Sequence, residues 1–111
     1  MMILFWWLLV GHALADYPLQ GDFLAKAKNH RAPLPNTPWF TCLLAHALIQ
    51  GGMVAFVTGH VSLGIAEFVA HTIIDYGKSD GWYDFNIDQL LHIICKLLWC
   101  ALLFSVGTFG P

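Results

Sequence analysis

Four histidines that lie within apolar segments are the residues of this sequence best suited to chemistry. Three of them have a carboxylate four positions away: His12/Asp16, His71/Asp75 and Asp88/His92. Residues four apart lie on one face of an α-helix, so each pair can offer two ligands to one ion. Imidazole nitrogens and carboxylate oxygens are ligands that Zn²⁺, Mn²⁺ and Fe²⁺ accept. The pattern therefore predicts a site for a divalent metal ion.

The segment around residue 71 carries the longest polar stripe. Glu67, His71 and Asp75 recur at i, i+4 and i+8 and so share one helix face. Within this stripe, Glu67 is the candidate general base that would activate a metal-bound water. Lys96, one turn beyond His92, is a competing partner for Glu67, and pairing with it would take the carboxylate out of the base role.

The candidate metal ligands share the helix spacing described above and an apolar context. They are His12, Asp16, His46, His71, Asp75, Asp88 and His92. The aspartates are either direct ligands or acceptors that orient the imidazoles. His46, which has Gln50 instead of a carboxylate at this spacing, is a fourth histidine ligand or a substrate contact. His30, His60 and Asp80 are predicted to have ordinary packing and hydrogen-bonding roles.

The composition indicates a membrane protein of one domain. The chain has 111 residues, of which 58% are hydrophobic and 11% charged, and its mean hydropathy is +0.63. Ionisable residues are costly inside a membrane, so their presence there marks a functional site. A net charge of −2 and five Lys and Arg residues without a basic stripe give no support to nucleic-acid binding. The three cysteines lack the spacing of a disulfide framework and are predicted to pack in apolar surroundings.

The elements that must position these residues are predicted to be all α-helical. We expect one transmembrane domain over residues 1–111, a bundle of four helices at about 2–16, 39–58, 61–77 and 85–106, with a cytoplasmic loop at 17–38. A two-turn interfacial helix is predicted within 22–29. Gly51 and Gly52 indicate close helix packing or a kink. Since the His-x-x-x-Asp-Tyr motif occurs at both 12 and 71, the bundle is interpreted as two similar hairpins.

The distribution of Lys and Arg predicts the orientation. These residues lie in the first and third loops and are absent from both ends of the chain, so both termini are expected to face outward from a bacterial inner membrane that the chain crosses several times. The four candidate histidines then lie five to seven residues from the cytoplasmic helix ends, roughly 8 to 11 Å deep. Ala13-Leu14-Ala15 also matches a signal-peptidase site. We favour a first helix that is not cleaved, because the segment before this site lacks the Lys or Arg of a signal peptide.

The motifs taken together resemble a known family. The pattern includes His12-x-x-x-Asp16-Tyr-x-Leu-Gln20, His46, His71-x-x-x-Asp75-Tyr-x-Lys78 and Asp88-Gln89-x-x-His92. It is similar to a family of small bacterial and phage membrane proteins known only as a domain of unknown function, which implies a polytopic inner-membrane protein. A more distant likeness is to membrane-bound metal-dependent hydrolases, and no residue role is taken from it.

Three functions are compatible with these observations, two of them without enzymatic activity. The first is a metal-dependent hydrolase acting on a lipid-like or phosphoester substrate. The second is a proton or ion relay along the stripe of Glu67, His71 and Asp75. The third is a structural or partner-binding protein that acts on a host membrane protein through residues 22–31, or through self-association. For all three functions, we expect the protein to be embedded in a lipid bilayer.

Overall fold

The computed structural model describes residues 1–105, and within that range the chain forms five α-helices and no strand. The helices are α1 (Met2–Asp16), α2 (Gly21–Ala27), α3 (Trp39–Thr58), α4 (Val61–Ser79) and α5 (Phe85–Ser105). The predicted all-helical class is confirmed. The predicted end of the last helix at residue 106 and the tail beyond it lie outside the described residues.

Helices α3 and α4 form a tight hairpin whose packing depends on glycine. Gly59, with φ of 75°, ends α3 in the left-handed conformation that a turn of this length needs. A Cβ added to Gly51 would lie 2.6 Å from the carbonyl oxygen of Gly64, and one added to Gly64 would lie 2.7 Å from the Cβ of Ala55. The backbones of α3 and α4 therefore lie so close at Gly51 and Gly64 that a side chain larger than that of glycine would clash. Gly52 faces open space, so the close packing involves only the first of the two adjacent glycines.

Helix α2 and the segment that follows it cover one end of the bundle. The axis of α2 turns by 82° from that of α1. Beyond α2, the ring of His30 stacks on Tyr76 with 4.0 Å between centroids, and its Nε2 lies 2.9 Å from Oδ1 of Asp80. These contacts confirm the packing and hydrogen-bonding roles predicted for His30 and Asp80. The short helix predicted within 22–29 is present at Gly21–Ala27.

Two of the helices are long and apolar enough to cross a membrane unaided. These are α3, with 20 residues and a mean hydropathy of 1.8, and α5, with 21 residues and 1.7. Helix α1, with 15 residues, meets the same requirement only together with α2 as one bent span. Helix α4 carries Glu67, Asp75 and Lys78 and does not meet it. By length and composition, the described chain therefore has two helices that could cross a membrane, or three spans if the bent pair counts as one.

The burial pattern is unusually polar inside and apolar outside. Among the described residues, ten buried side chains are polar or charged, as many as are hydrophobic. Large apolar side chains such as Met2, Ile3 and Phe56 are instead more than three-quarters exposed. The buried apolar cluster, Leu8, Val54, Leu63, Trp99 and Cys100, fills one end of the bundle. The opposite end holds the polar residues with which the sequence analysis began.

Candidate metal centre

One histidine from each of the four long helices meets in the interior. His12 lies on α1, His46 on α3, His71 on α4 and His92 on α5, and each is at most 5% exposed. The rings of His71 and His92 are stacked with 3.9 Å between centroids, and His46 lies 5.0 Å from His71 and His12 5.3 Å from His92. The fold therefore concentrates in one place the imidazoles that are far apart in the sequence.

Asp75 is the carboxylate around which these histidines are arranged. Its Oδ2 lies 3.4 Å from Nε2 of His71 and 3.5 Å from Nε2 of His46. Its Oδ1 lies 3.0 Å from Nε2 of His92. Lys28 also donates to Oδ2 at 2.9 Å, from the end of α2. The two oxygens of one carboxylate thus face two different groups of nitrogen donors.

The donors around Asp75 Oδ2 have the spacing of a metal coordination sphere. Nε2 of His46 lies 3.3 Å from Nε2 of His71 and 3.2 Å from Oδ1 of Asp16. In a tetrahedral site with bonds of about 2.0 to 2.1 Å, neighbouring ligand atoms are about 3.3 Å apart. The distances from Nε2 of His46 match that value, and Asp16, His46 and His71 form a buried group that could hold a metal ion.

Glu67 contacts His71 through one oxygen and two donors of α5 through the other. Its Oε2 lies 2.8 Å from Nδ1 of His71, and its Oε1 accepts hydrogen bonds from Nζ of Lys96 at 2.9 Å and Nε1 of Trp99 at 2.8 Å. The predicted contact with Lys96 is confirmed, and both oxygens of Glu67 have partners, while its role as general base stays a prediction. Because Glu67 accepts a hydrogen bond from Nδ1–H of His71, the lone pair of this imidazole is on Nε2. This lone pair faces His46 and Asp75. This arrangement fixes the tautomer as carboxylates do in metal sites.

The remaining aspartate and histidine pairs are bridged by Gln89. Nε2 of Gln89 donates to Oδ2 of Asp16 at 2.9 Å and to Oδ2 of Asp88 at 3.2 Å. Oε1 of Gln89 lies 3.1 Å from Nε2 of His12, which is 3.8 Å from Oδ2 of Asp16. His92 lies 3.4 Å from Oδ1 of Asp88. His12 therefore contacts the rim of the cluster and belongs to none of the donor groups that could hold an ion in the described chain.

Several residues of the cluster were not identified from the sequence. Gln89 is adjacent to a candidate ligand but has no special spacing, and Lys28 lies at the end of a short helix whose position against the bundle no local pattern reveals. Trp99 lies three positions after Lys96, so its place on the same helix face was the one available signal. These residues supply donors that the helix spacing of histidine and aspartate could not indicate.

The cluster has an unbalanced formal charge. Its buried carboxylates are those of Asp16, Glu67, Asp75 and Asp88, and the cations in contact with them are Lys28 and Lys96. With neutral histidines this leaves a formal charge of −2. Uncompensated charge in an apolar surrounding is costly, and a buried ion pair is stable only when its partners are all present. One divalent cation, or two protonated histidines, would restore neutrality.

A small polar cavity connects the cluster with the surface beside α2. Its volume is about 130 Å³, and its lining includes Lys28, Asp75, Lys78, Asp88 and Gln89. This is room for several water molecules, each of which takes about 30 Å³ in the liquid. On the other side, beyond Glu67, the apolar cluster of Leu8 and its neighbours closes the bundle. The site is therefore accessible from one end only, within the part of the chain that the structure describes.

Comparison with known proteins places the chain in a family without assigning an activity. Neither the curated proteins nor the solved structures include a match to this chain. One family model, described as "Protein of unknown function (DUF3307)", matches residues 4–108 and so covers nearly the whole sequence. The chain therefore belongs to this family of unknown function.

Proposed function

We propose that the protein is a multi-pass membrane protein that binds a divalent transition-metal ion within its helical bundle. The ion would be held by His46, His71, Asp16 and Asp75, with Glu67 orienting His71. Four spans are supported by the exposed apolar side chains and by the polar interior, because α4 can cross a bilayer if its charged stripe faces the other helices. The distribution of Lys and Arg supports outward termini in a bacterial inner membrane.

The observation that carries this proposal is the coincidence of spacing and charge. Nε2 of His46 lies 3.2 to 3.5 Å from donor atoms of Asp16, His71 and Asp75, a spacing found between ligands around one ion. With neutral histidines the same cluster lacks two positive charges, which one divalent cation would supply. Zn²⁺, Mn²⁺ and Fe²⁺ all accept this mixture of imidazole and carboxylate.

The reaction class that we propose for this centre is hydrolysis of a phosphoester or lipid-like ester. The cavity beside Asp75 and Asp88 gives water access to the cluster, and Lys28 and Lys78 on its wall can attract an anionic group. In such a reaction water adds to phosphorus or to the carbonyl carbon, the ester bond to the alcohol oxygen breaks, and a proton from the water moves to the leaving alcohol. A metal ion lowers the pKa of its bound water and so generates the nucleophile.

Metal content of the purified protein tests the proposal directly. Elemental mass spectrometry of detergent-purified protein is expected to find at least one equivalent of a transition metal, which the His46→Gln/His71→Gln variant loses. His30→Gln is the matched control, because this histidine lies outside the cluster and should leave the metal content unchanged. Circular dichroism verifies that each variant is helical. No metal in the wild-type protein, reloaded after purification, would refute the proposal.

A relay that carries protons across the membrane is less well supported. Its chain of polar contacts would run from the cavity through Asp75 and His71 to Glu67 and Lys96. Beyond that point the buried residues Leu8, Val54 and Leu63 offer no titratable side chain. If the protein proves metal-free, we propose instead a partner-binding role in the host envelope or self-association, with the cluster stabilising the bundle.

A further inference from the structure

The Oδ1 side of Asp75 has a donor group of its own. Here Oδ1 lies 3.0 Å from Nε2 of His92, which lies 3.4 Å from Oδ1 of Asp88. Together these three residues form a separate buried group whose ligand atoms lie within 4.8 Å of one another. Asp75 is the residue that links this group with the donors around His46 and His71, through its other oxygen.

Asp88 provides independent evidence that this second group lacks a partner. Its Oδ1 is buried and accepts no hydrogen bond from any described residue, although Asp88 as a whole is only 3% exposed. A buried carboxylate oxygen is costly when it has no donor, since buried polar groups are nearly always paired. A cation at this point would satisfy it, and His92 and Asp75 already converge there.

Both groups border the polar cavity, the first through Asp16 and the second through Asp88, but they differ in their number of protein donors. The first consists of Asp16, His46 and His71, and Oδ2 of Asp75 at 3.5 Å from His46 adds a fourth donor, the number that closed structural sites have. The second has three, and two of these, Asp75 and Asp88, also line the cavity of about 130 Å³. Catalytic metal sites commonly combine three protein ligands with one open position for water or substrate. The second group has this composition, with three protein donors and two of them on the wall of the cavity.

We propose that the protein holds a pair of divalent metal ions bridged by Asp75, with the second ion bound by Asp75, Asp88 and His92 and open to the cavity. This inference rests on the proposed metal function and extends it. A carboxylate that binds one ion through each oxygen is compatible with the separation of about 3.5 to 4 Å found in two-metal sites. The open ion is then the one that would bind water and the ester substrate.

The charge of the cluster predicts which residue must move. A second divalent ion would change the formal charge from neutral to +2 if both lysines stayed in place. Lys28 lies at the cavity with a side chain that is 12% exposed, so its ammonium group can leave Asp75 for solvent. Lys96 is enclosed with Glu67 and stays. We therefore expect the Lys28→Met variant to bind the second ion roughly tenfold more tightly, since one nearby repulsive charge is removed.

Manganese loading tests the pair of ions. The full-length protein in detergent is stripped with a chelator, reloaded with Mn²⁺ and desalted, and its manganese is counted by elemental mass spectrometry and examined by electron paramagnetic resonance. Wild-type protein is expected to hold two ions with the exchange-coupled spectrum of a bridged pair. The Asp88→Asn/His92→Gln variant is expected to hold one ion with an uncoupled six-line spectrum, and His30→Gln to match the wild type.

The outcomes separate this inference from the metal function on which it rests. One uncoupled ion in the wild-type protein, retained in Asp88→Asn/His92→Gln, would overturn the bridged pair and leave the first site intact. No bound ion would overturn both proposals. The wild-type stoichiometry and spectrum decide the matter even if a variant fails to fold. Weaker Mn²⁺ binding in Lys28→Met would contradict the proposed displacement of this lysine.

Discussion

The buried pair of Glu67 and Lys96 supports a quantitative stability prediction. Both side chains are at most 1% exposed, and Nζ of Lys96 donates a hydrogen bond to Oε1 of Glu67. Lys96→Met keeps the length of the side chain but leaves a buried carboxylate without its cation. Removing one partner of a buried ion pair costs about 3 to 5 kcal/mol. We expect a loss of that size in the free energy of unfolding.

Removing both charges should cost less than the two single changes together. Glu67→Gln alone leaves Lys96 unpaired, whereas Glu67→Gln/Lys96→Met leaves no buried charge at this point and keeps an amide that can contact Trp99 and His71. The interaction energy of the double-mutant cycle is therefore expected to be about 2 to 3 kcal/mol. Additive effects of the two single changes would refute the view that Lys96 and Glu67 stabilise each other.

The assay is reversible unfolding in mixed micelles with increasing denaturing detergent, followed by far-ultraviolet circular dichroism. A chelator is present throughout, because bound metal would add its own binding free energy to the stability. Lys26→Met is the matched control, since Lys26 is 71% exposed and contacts Asp22 at 4.0 Å on the surface of α2. Exposed pairs of this kind contribute little, so a change of less than about 0.5 kcal/mol is expected.

Three further predictions follow from individual contacts. Gly51→Ala should destabilise the protein by about 1 to 3 kcal/mol, because its Cβ would lie 2.6 Å from a backbone oxygen of α4, whereas Gly52→Ala, which meets nothing within 4 Å, should be neutral or stabilising in the same unfolding assay. Glu67→Gln should weaken metal binding by about 10- to 100-fold in a competition titration, because His71 loses its orienting carboxylate; equal affinity would contradict this role. Hydrogen bonds from His30 and neighbouring donors lower the pKa of Asp80, so its stabilising contribution is present above the ordinary carboxyl pKa and is lost as the pH falls below that value toward the lowered pKa. The unfolding midpoint of Asp80→Asn should therefore depend less on pH in the acid range than that of the wild type, and parallel curves would refute the assignment.

The helical class and the sharing of helix faces were predictable from the sequence because both depend on local periodicity. His71 and Asp75, four positions apart, had to lie on one face once the segment was helical. The same reasoning proposed Lys96 as a partner for Glu67, and the contact is present. Of the seven candidate ligands, all but His12 belong to donor groups that could hold an ion.

Other features depend on long-range packing that no spacing rule describes. The sequence predicted a short interfacial helix that includes Lys28, but not its contact with Asp75, which forms because α2 turns by 82° from α1. Glu67 was a candidate base, but the rotation of α5 places Lys96 and Trp99 at its oxygens. The contacts of Glu67 therefore depend on residues of α5, which the spacing within α4 could not indicate.

The sequence by itself determined that four amphipathic or apolar helices would carry one histidine each and that three of these would pair with an aspartate one turn away. Only the tertiary structure decided that Asp75 faces two donor groups with its two oxygens, since this requires the rotation and depth of three helices at once. It also decided that Gly51 permits the close approach of α3 and α4 while Gly52 does not take part. The physical reason is the same in both cases: local periodicity determines which residues share a face, and interhelical packing determines what that face meets.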